Sequence, residues 1–175
     1  MAWKTILEHT DRPAGLCLTR QKLPVFDRTE LAGAEGAALG GYVLAEAPDG
    51  DPQVILIGTG SEVELALAAR DELWQEKIGA RVVSMPCLEW FAEQDQAYRD
   101  QVLPPEIRAR VSVEAGIALG WRAIVGDAGE MVSLEHFGAS AAYQTLFKEF
   151  GITSERVAQA ARLSLGRVGA PARKD

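Results

Sequence analysis

Arg20 and Lys22 stand two residues apart in Leu18-Thr19-Arg20-Gln21-Lys22-Leu23-Pro24, directly after the apolar run Gly15-Leu16-Cys17-Leu18. A short apolar run that gives way to polar residues reads as the end of a buried strand, and open α/β sheets meet their ligands at the carboxyl ends of strands. A guanidinium at such a place presents a planar fork of donors that matches a phosphate, and the nearby ammonium adds a second positive charge. Arg20 is therefore the first candidate for binding an anion. The alternative reading of these seven residues is a solvated surface arginine, since charged side chains are mostly exposed.

Four other groups invite a chemical reading. Gly58-Thr59-Gly60-Ser61 lies between the run Val54-Ile55-Leu56-Ile57 and a helix start, where backbone N–H groups and the helix dipole can hold a phosphate. Neither G-x-G-x-x-G nor G-x-x-x-x-G-K-[ST] is present, and Glu62 and Glu64 place negative charge where an anion would sit. The segment instead fits a tight turn and a capping box, with the Ser61 hydroxyl accepting from an early helix N–H and Glu64 reaching back. Glu114, in Glu114-Ala115-Gly116, follows another apolar run and shares that edge. With no histidine, metal ligand or second carboxylate beside it in the sequence, it is expected to cap the next helix or pair across a subunit contact rather than act as a general base. His9 and His136 stand singly, which favours packing or surface roles. Cys17 and Cys87 form neither a C-x-x-C pair nor a metal-ligand spacing and read as reduced structural thiols.

The elements that must position these groups follow from periodicity and turn chemistry. Residues 2–7 read as the end of a helix, and Asp11-Arg12-Pro13 as a turn into a strand over 14–18. Glycines 33, 36, 40 and 41 among alanines mark a connector. From Tyr42 onward strands alternate with helices, the pattern of a parallel α/β sheet. Strands are expected over 42–45, 54–57, 81–85, 109–113 and 131–134; by themselves the first two, joined by Pro48-Asp49-Gly50-Asp51-Pro52, read as a hairpin. A helix starts at Ser61 with Val63, Ala66, Leu67, Leu73 and Trp74 as its buried stripe and Gly79 as its left-handed stop. Further helices are expected over 91–103, closed by Pro104 and Pro105, over 119–125, over 141–150, closed by Gly151, and over 154–165, capped by Thr153 and closed by Gly166. Residues 167–175 read as a mobile tail. Trp90, Phe91, Trp121 and Phe137 suit either a core or a subunit interface.

Composition narrows the function classes. In 175 residues, 18 Lys and Arg stand against 25 Asp and Glu, a formal charge of −7, which disfavours a nucleic-acid partner because phosphate neutralisation needs a basic face. No window approaches the ~18 consecutive apolar residues of a membrane span, and residues 1–8 do not read as a secretion signal. A cytoplasmic protein without a membrane partner is expected.

Five segments, LTRQKLP at 18–24, VILIGTGSEV at 54–63, VVSMP at 82–86, VEAGIALGW at 113–121 and FGASA at 137–141, resemble the transketolase family in order and spacing. The resemblance runs from about residue 3 to about residue 165. It implies a three-layer α/β/α fold around a five-stranded mixed sheet whose first strand is antiparallel and pairs with the third, against the hairpin reading. It also implies a homodimeric enzyme of the pentose phosphate pathway that moves a two-carbon ketol unit between sugar phosphates with thiamine diphosphate and Mg2+ (or Ca2+). In that family the arginine of the [ST]-R-Q motif binds the substrate phosphate and maps onto Arg20. On this reading residues 1–27 are a remnant of the pyrimidine-binding domain, 28–40 a linker and 41–166 the carboxy-terminal domain. The chain has no Gly-Asp-Gly motif and only two histidines, so it is expected to hold neither cofactor nor metal, to have no catalytic residue of its own, and to support the dimer. The usual proline after F-G-A-S-A is Ala142 here. The alternative is a stand-alone α/β module that binds a small ligand or regulates, using the crevice beside residues 58–61 and 114–116.

Overall fold

The structure, a computed structural model, describes residues 1–169. Its centre is the strand β2 (Val54–Gly58), whose residues Val54, Ile55, Leu56 and Ile57 are all at 0 % exposure. A run apolar on both faces needs a neighbour on each edge and a layer above and below. β2 accordingly pairs in parallel with β3 (Ala80–Ser84) on one side and β4 (Arg110–Val113) on the other, and β5 (Glu130–Val132) extends the sheet beyond β4. β1 (Tyr42–Ala45) runs antiparallel to the outer edge of β3, which gives the order β1-β3-β2-β4-β5. The hairpin reading of residues 42–57 is thus corrected: both edges of β2 are taken by parallel partners, and the turn at 48–52 carries the chain past β3.

Alternate residues of the strands feed two cores. Leu56, Val82, Val111 and Val113 join Val63, Ala66, Ala69 and Leu73 of α2 (Val63–Gln75) and Val157, Ala158 and Ala161 of α7 (Ser154–Val168). Ile55, Ile57, Val83 and Met85 meet Phe91, Val102, Leu103 and Trp121 on the opposite face, from α3 (Leu88–Ala92), α4 (Gln96–Val102) and the entrance to α5 (Arg122–Val125). Helices therefore cover both faces, a three-layer α/β/α arrangement. α6 (Tyr143–Phe150) lays Phe147 and Phe150 against the first core.

Several local expectations are corrected. No capping box opens α2: Gly60–Glu62 forms a 3-10 turn, and the Ser61 hydroxyl donates to Glu62 Oε2 at 2.9 Å instead of receiving a backbone N–H. Leu67 and Trp74 are only half-buried, and Ala69 takes their place in the buried stripe. α2 stops at Glu76 with Lys77 in the left-handed region (φ 61°), not at Gly79. A Cβ on Gly79 would lie 2.6 Å from the Asp51 carbonyl oxygen, so glycine is required there by close approach of the 49–51 turn. The helix expected over 91–103 is two, because Asp95 caps α4 by accepting from the Tyr98 N–H at 2.8 Å. The helix expected over 119–125 opens as a 3-10 turn, Ala118–Gly120. Thr153 caps α7 as expected, but the helix passes through Gly166 to Val168 and turns at Gly169 (φ 73°); Leu165 is buried and Val168 packs on the core, which outweighs the roughly 1 kcal/mol propensity cost of an internal glycine. Residues 167 and 168 are therefore helical, and the remainder of the expected tail, from 170, lies outside the described residues.

The front of the chain is built differently. α1 (Ala2–Glu8) is followed by extended chain, and the strand expected over 14–18 is not formed: no strand of the sheet lies beside it. Its docking rests on side chains, with the His9 ring stacked on Trp90 at 4.8 Å between centroids and Arg12 paired with Glu93. The connector is anchored more firmly. The Ala32 N–H donates to the Leu44 carbonyl at 3.0 Å, and the Tyr98 hydroxyl donates to the Gly41 carbonyl at 2.8 Å.

Candidate functional site

The carboxyl edge of the sheet holds the acidic groups singled out by sequence. From β2 the chain moves outward to β3, then crosses back to β4 on the other side of β2. Such a reversal parts the loops that leave β2 and β4 and opens a crevice between them. Glu62 joins those two loops. At 6 % exposure, its Oε1 accepts the Ala115 N–H at 3.2 Å and its Oε2 accepts the Ser61 hydroxyl at 2.9 Å, so one carboxyl ties the β2 loop to the β4 loop. Burial pushes its pKa up, and the charge of Glu114 pushes the same way. Sequence reasoning missed Glu62 as a partner of Glu114, because Ala115 stands 53 residues away in the chain and no motif spacing links them.

Glu114 does not cap the following helix. Its Oε2 accepts the indole N–H of Trp121 at 2.6 Å, and its backbone N–H donates to the Val132 carbonyl at 3.1 Å, continuing the β4–β5 ladder. In front of this pair lies a cleft of about 520 Å³. Thr59, Glu114 and Trp121 form its floor, Cys87 and Trp90 one wall, and Ile6 and Leu16 from the front of the chain the other.

The remaining candidates are dispersed. Arg20 and Lys22 are exposed, and neither forms a hydrogen bond or ion pair among the described residues. Arg20 is not in the wall of the cleft, so the structure does not bring it together with Glu62 and Glu114. Cys87 is half-buried; burial raises its thiol pKa, and the S–H donates to Glu89 Oε2 at 3.5 Å. That suits a structural thiol. Cys17 is exposed, against the expectation of a packed one, because the strand that would have buried it has no neighbour. His9 and His136 have packing roles: His136 lies edge-on to Phe150 at 4.8 Å, and each ring places Nδ1 within 2.9 Å of a backbone carbonyl oxygen. Phe137 is fully exposed, on the loop beside the exposed Ile117 and Leu119. No group of His, Cys, Asp and Glu among the described residues is arranged to hold a metal ion, and no described helix is long and apolar enough to cross a membrane.

A parallel α/β sheet with one antiparallel edge strand, helices on both faces and an acidic crevice at the strand reversal defines a three-layer α/β/α domain. Residues 40–153 match the model of the transketolase-like TK C-terminal domain. The chain belongs to that family. The transketolase of Mycobacterium tuberculosis (strain ATCC 25618 / H37Rv) is 56 % identical over 170 residues, covering 94 % of this chain and 24 % of that protein. Among solved structures, transketolase from Leishmania mexicana is 38 % identical with a TM-score of 0.71, over 80 % of this chain and 20 % of that one. A Pichia stipitis transketolase in complex with sedoheptulose-7-phosphate is 35 % identical with a TM-score of 0.73, over 86 % and 21 %. The chain spans about a quarter of the length of the curated relatives it matches.

Proposed function

We propose that this chain serves as the carboxy-terminal part of a transketolase, which moves a two-carbon ketol unit from a ketose phosphate to an aldose phosphate. The observation that carries the reading is the 56 % identity to transketolase across 94 % of the chain. Arg20 is the substrate-phosphate anchor on this reading. Its guanidinium is exposed and has no partner among the described residues, which leaves its donors available for a phosphate presented by the rest of the enzyme.

The chain's own residues do not fit the diphosphate and metal of thiamine diphosphate. The chain lacks a Gly-Asp-Gly motif, and no group of His, Cys, Asp and Glu among the described residues is arranged to hold a metal ion. Residues elsewhere in the intact enzyme hold the cofactor and its Mg2+ (or Ca2+), and this chain alone does not catalyse. Residues 1–27 belong with a preceding domain, residues 28–40 link it to the domain over 41–166, and the assembly is a cytoplasmic homodimer to which the exposed Ile117, Leu119 and Phe137 contribute apolar surface.

The test is a chimera in which residues 1–175 replace the corresponding last quarter of the Mycobacterium tuberculosis transketolase. Ketol transfer within about tenfold of the parent's kcat/KM is expected, and the isolated chain should give neither turnover nor saturable binding heat with thiamine diphosphate and magnesium. A correctly folded but inactive chimera would contradict the reading.

A further inference from the structure

The crevice at the β2–β4 reversal has no part in the ketol-transfer reading, yet its chemistry is specific. Three backbone donors beside the cleft are already used. The Ala115 N–H is taken by Glu62 Oε1, the Glu62 N–H by the Thr59 carbonyl, and the Glu114 N–H by the Val132 carbonyl. The carboxylates retain acceptor capacity. Glu114 spends Oε2 on the Trp121 indole, and its Oε1 has no hydrogen-bond partner among the described residues, while the exposed Glu89 stands on the rim. No lysine, arginine or histidine lines the cleft. The remaining walls are apolar: the indoles of Trp90 and Trp121, with Met85, Leu88, Leu16 and Ile6.

Two lining carboxylates, Glu114 and Glu89, no lining cation and largely apolar walls select by charge and by shape. An anion meets Glu114 and Glu89 and finds no lysine, arginine or histidine in the lining to offset them. A neutral apolar ligand leaves the Glu114 acceptor unused and partly desolvated, which costs free energy. A compact organic cation satisfies both features, laying its ring along the indoles and its N–H donors on Glu114. The volume of about 520 Å³ falls within the range of small-ligand sites. We propose that the crevice between the carboxyl ends of β2 and β4 is a binding site for a small aromatic or alicyclic ammonium or amidinium ion, with Glu114 as the charge-bearing anchor and Trp90 and Trp121 as the apolar walls. The site is independent of the Arg20 reading, since Arg20 is not among its walls.

An isosteric series tests it on the full 175-residue chain. Benzamidine, benzamide and benzoate differ at one substituent in charge and little in shape. Calorimetry and ligand-detected NMR should show saturable 1:1 binding of benzamidine at least about tenfold tighter than benzamide, with no benzoate binding up to about 10 mM. Glu114→Gln should weaken benzamidine about tenfold or more and narrow the gap to benzamide, and Glu89→Gln should weaken it about threefold. Far-UV circular dichroism verifies that each variant is folded; should Glu114→Gln fail to fold, Glu89→Gln and the salt dependence of benzamidine binding carry the decision, with weaker binding at high salt expected. Equal binding of all three probes, no saturable binding of benzamidine, or benzamidine affinity unchanged in both folded variants would overturn the proposal.

Discussion

The domain that begins at β1 and the segment before the connector are made from similar amino acids and reach opposite outcomes. In β2 four consecutive apolar side chains have no exposure at all, because a strand lies on each edge and a helical layer on each face. In the front segment an apolar run of similar character leaves Leu18 at 73 % exposure, and beyond it Val25 at 98 %. Hydrophobicity sets what a segment needs, and only neighbouring elements supply it. The residue proposed to bind substrate, Arg20, lies in the region whose apolar groups find no cover within the chain. The closed region holds the buried acid Glu62.

The largest expected contrast breaks this comparison outright if it fails. Leu56→Ala removes a fully buried side chain from the central strand and should lower unfolding free energy by about 3–4 kcal/mol, while Leu18→Ala should change it by less than about 0.5 kcal/mol. Urea denaturation of both variants would show it; a comparable loss at Leu18 would mean the front segment is packed after all.

A smaller effect is expected at Arg110, whose guanidinium donates to the carbonyls of Leu103, Pro104, Ile107 and Ile124 at 2.9–3.0 Å. It holds the loop before β4 and the last turn of α5 to one strand. Arg110→Ala should cost about 2–3 kcal/mol, and Arg110→Lys should recover less than half, since one ammonium cannot span four acceptors. Full recovery by lysine would reduce the arginine to a generic charge.

Glu62 sharpens the comparison through pH. Its folded pKa is raised, by burial first and by Glu114 in addition, so it contributes stability that is complete below the unfolded carboxylate pKa and lost as pH rises through the folded value. Asp127 and Glu76, lowered by their bonds to Arg108 and Arg162, act in the opposite sense, losing their contribution as pH falls. Those two are common to wild type and Glu62→Gln and cancel in the difference. The stability difference, wild type minus Glu62→Gln, should be largest in acid and decline toward neutrality in paired denaturation curves. A difference independent of pH would remove Glu62 from the role of a buried, proton-retaining acid.

These contrasts also explain what the sequence made legible. A continuous β-branched and leucine run marked β2 because burial on both faces leaves no polar position in it. The antiparallel placement of β1 was not readable from residues 42–57, which favour a hairpin, and came from the resemblance alone. Ser61-Glu62-Val63-Glu64 fits a capping pattern, yet the buried Glu62 carboxyl captured the Ser61 hydroxyl first. Gly79 and Gly166 read as helix stops because glycine favours turns, whereas one is needed for close approach to Asp51 and the other lies inside α7. At the candidate site Glu114 was visible as a strand-end acid. Its neighbour Glu62 depends on strand order, which no local spacing encodes, and its partner Trp121 on the path of the loop that leaves β4.

The central claim is that Arg20 anchors a substrate phosphate, and kinetics of the Arg20→Ala chimera with two donor types test it most directly. A phosphorylated ketose donor should lose about 1.5–3 kcal/mol in kcat/KM, carried mainly by KM, while a non-phosphorylated ketose should be transferred as well as by the parent chimera. Equal losses with both donors would contradict the claim.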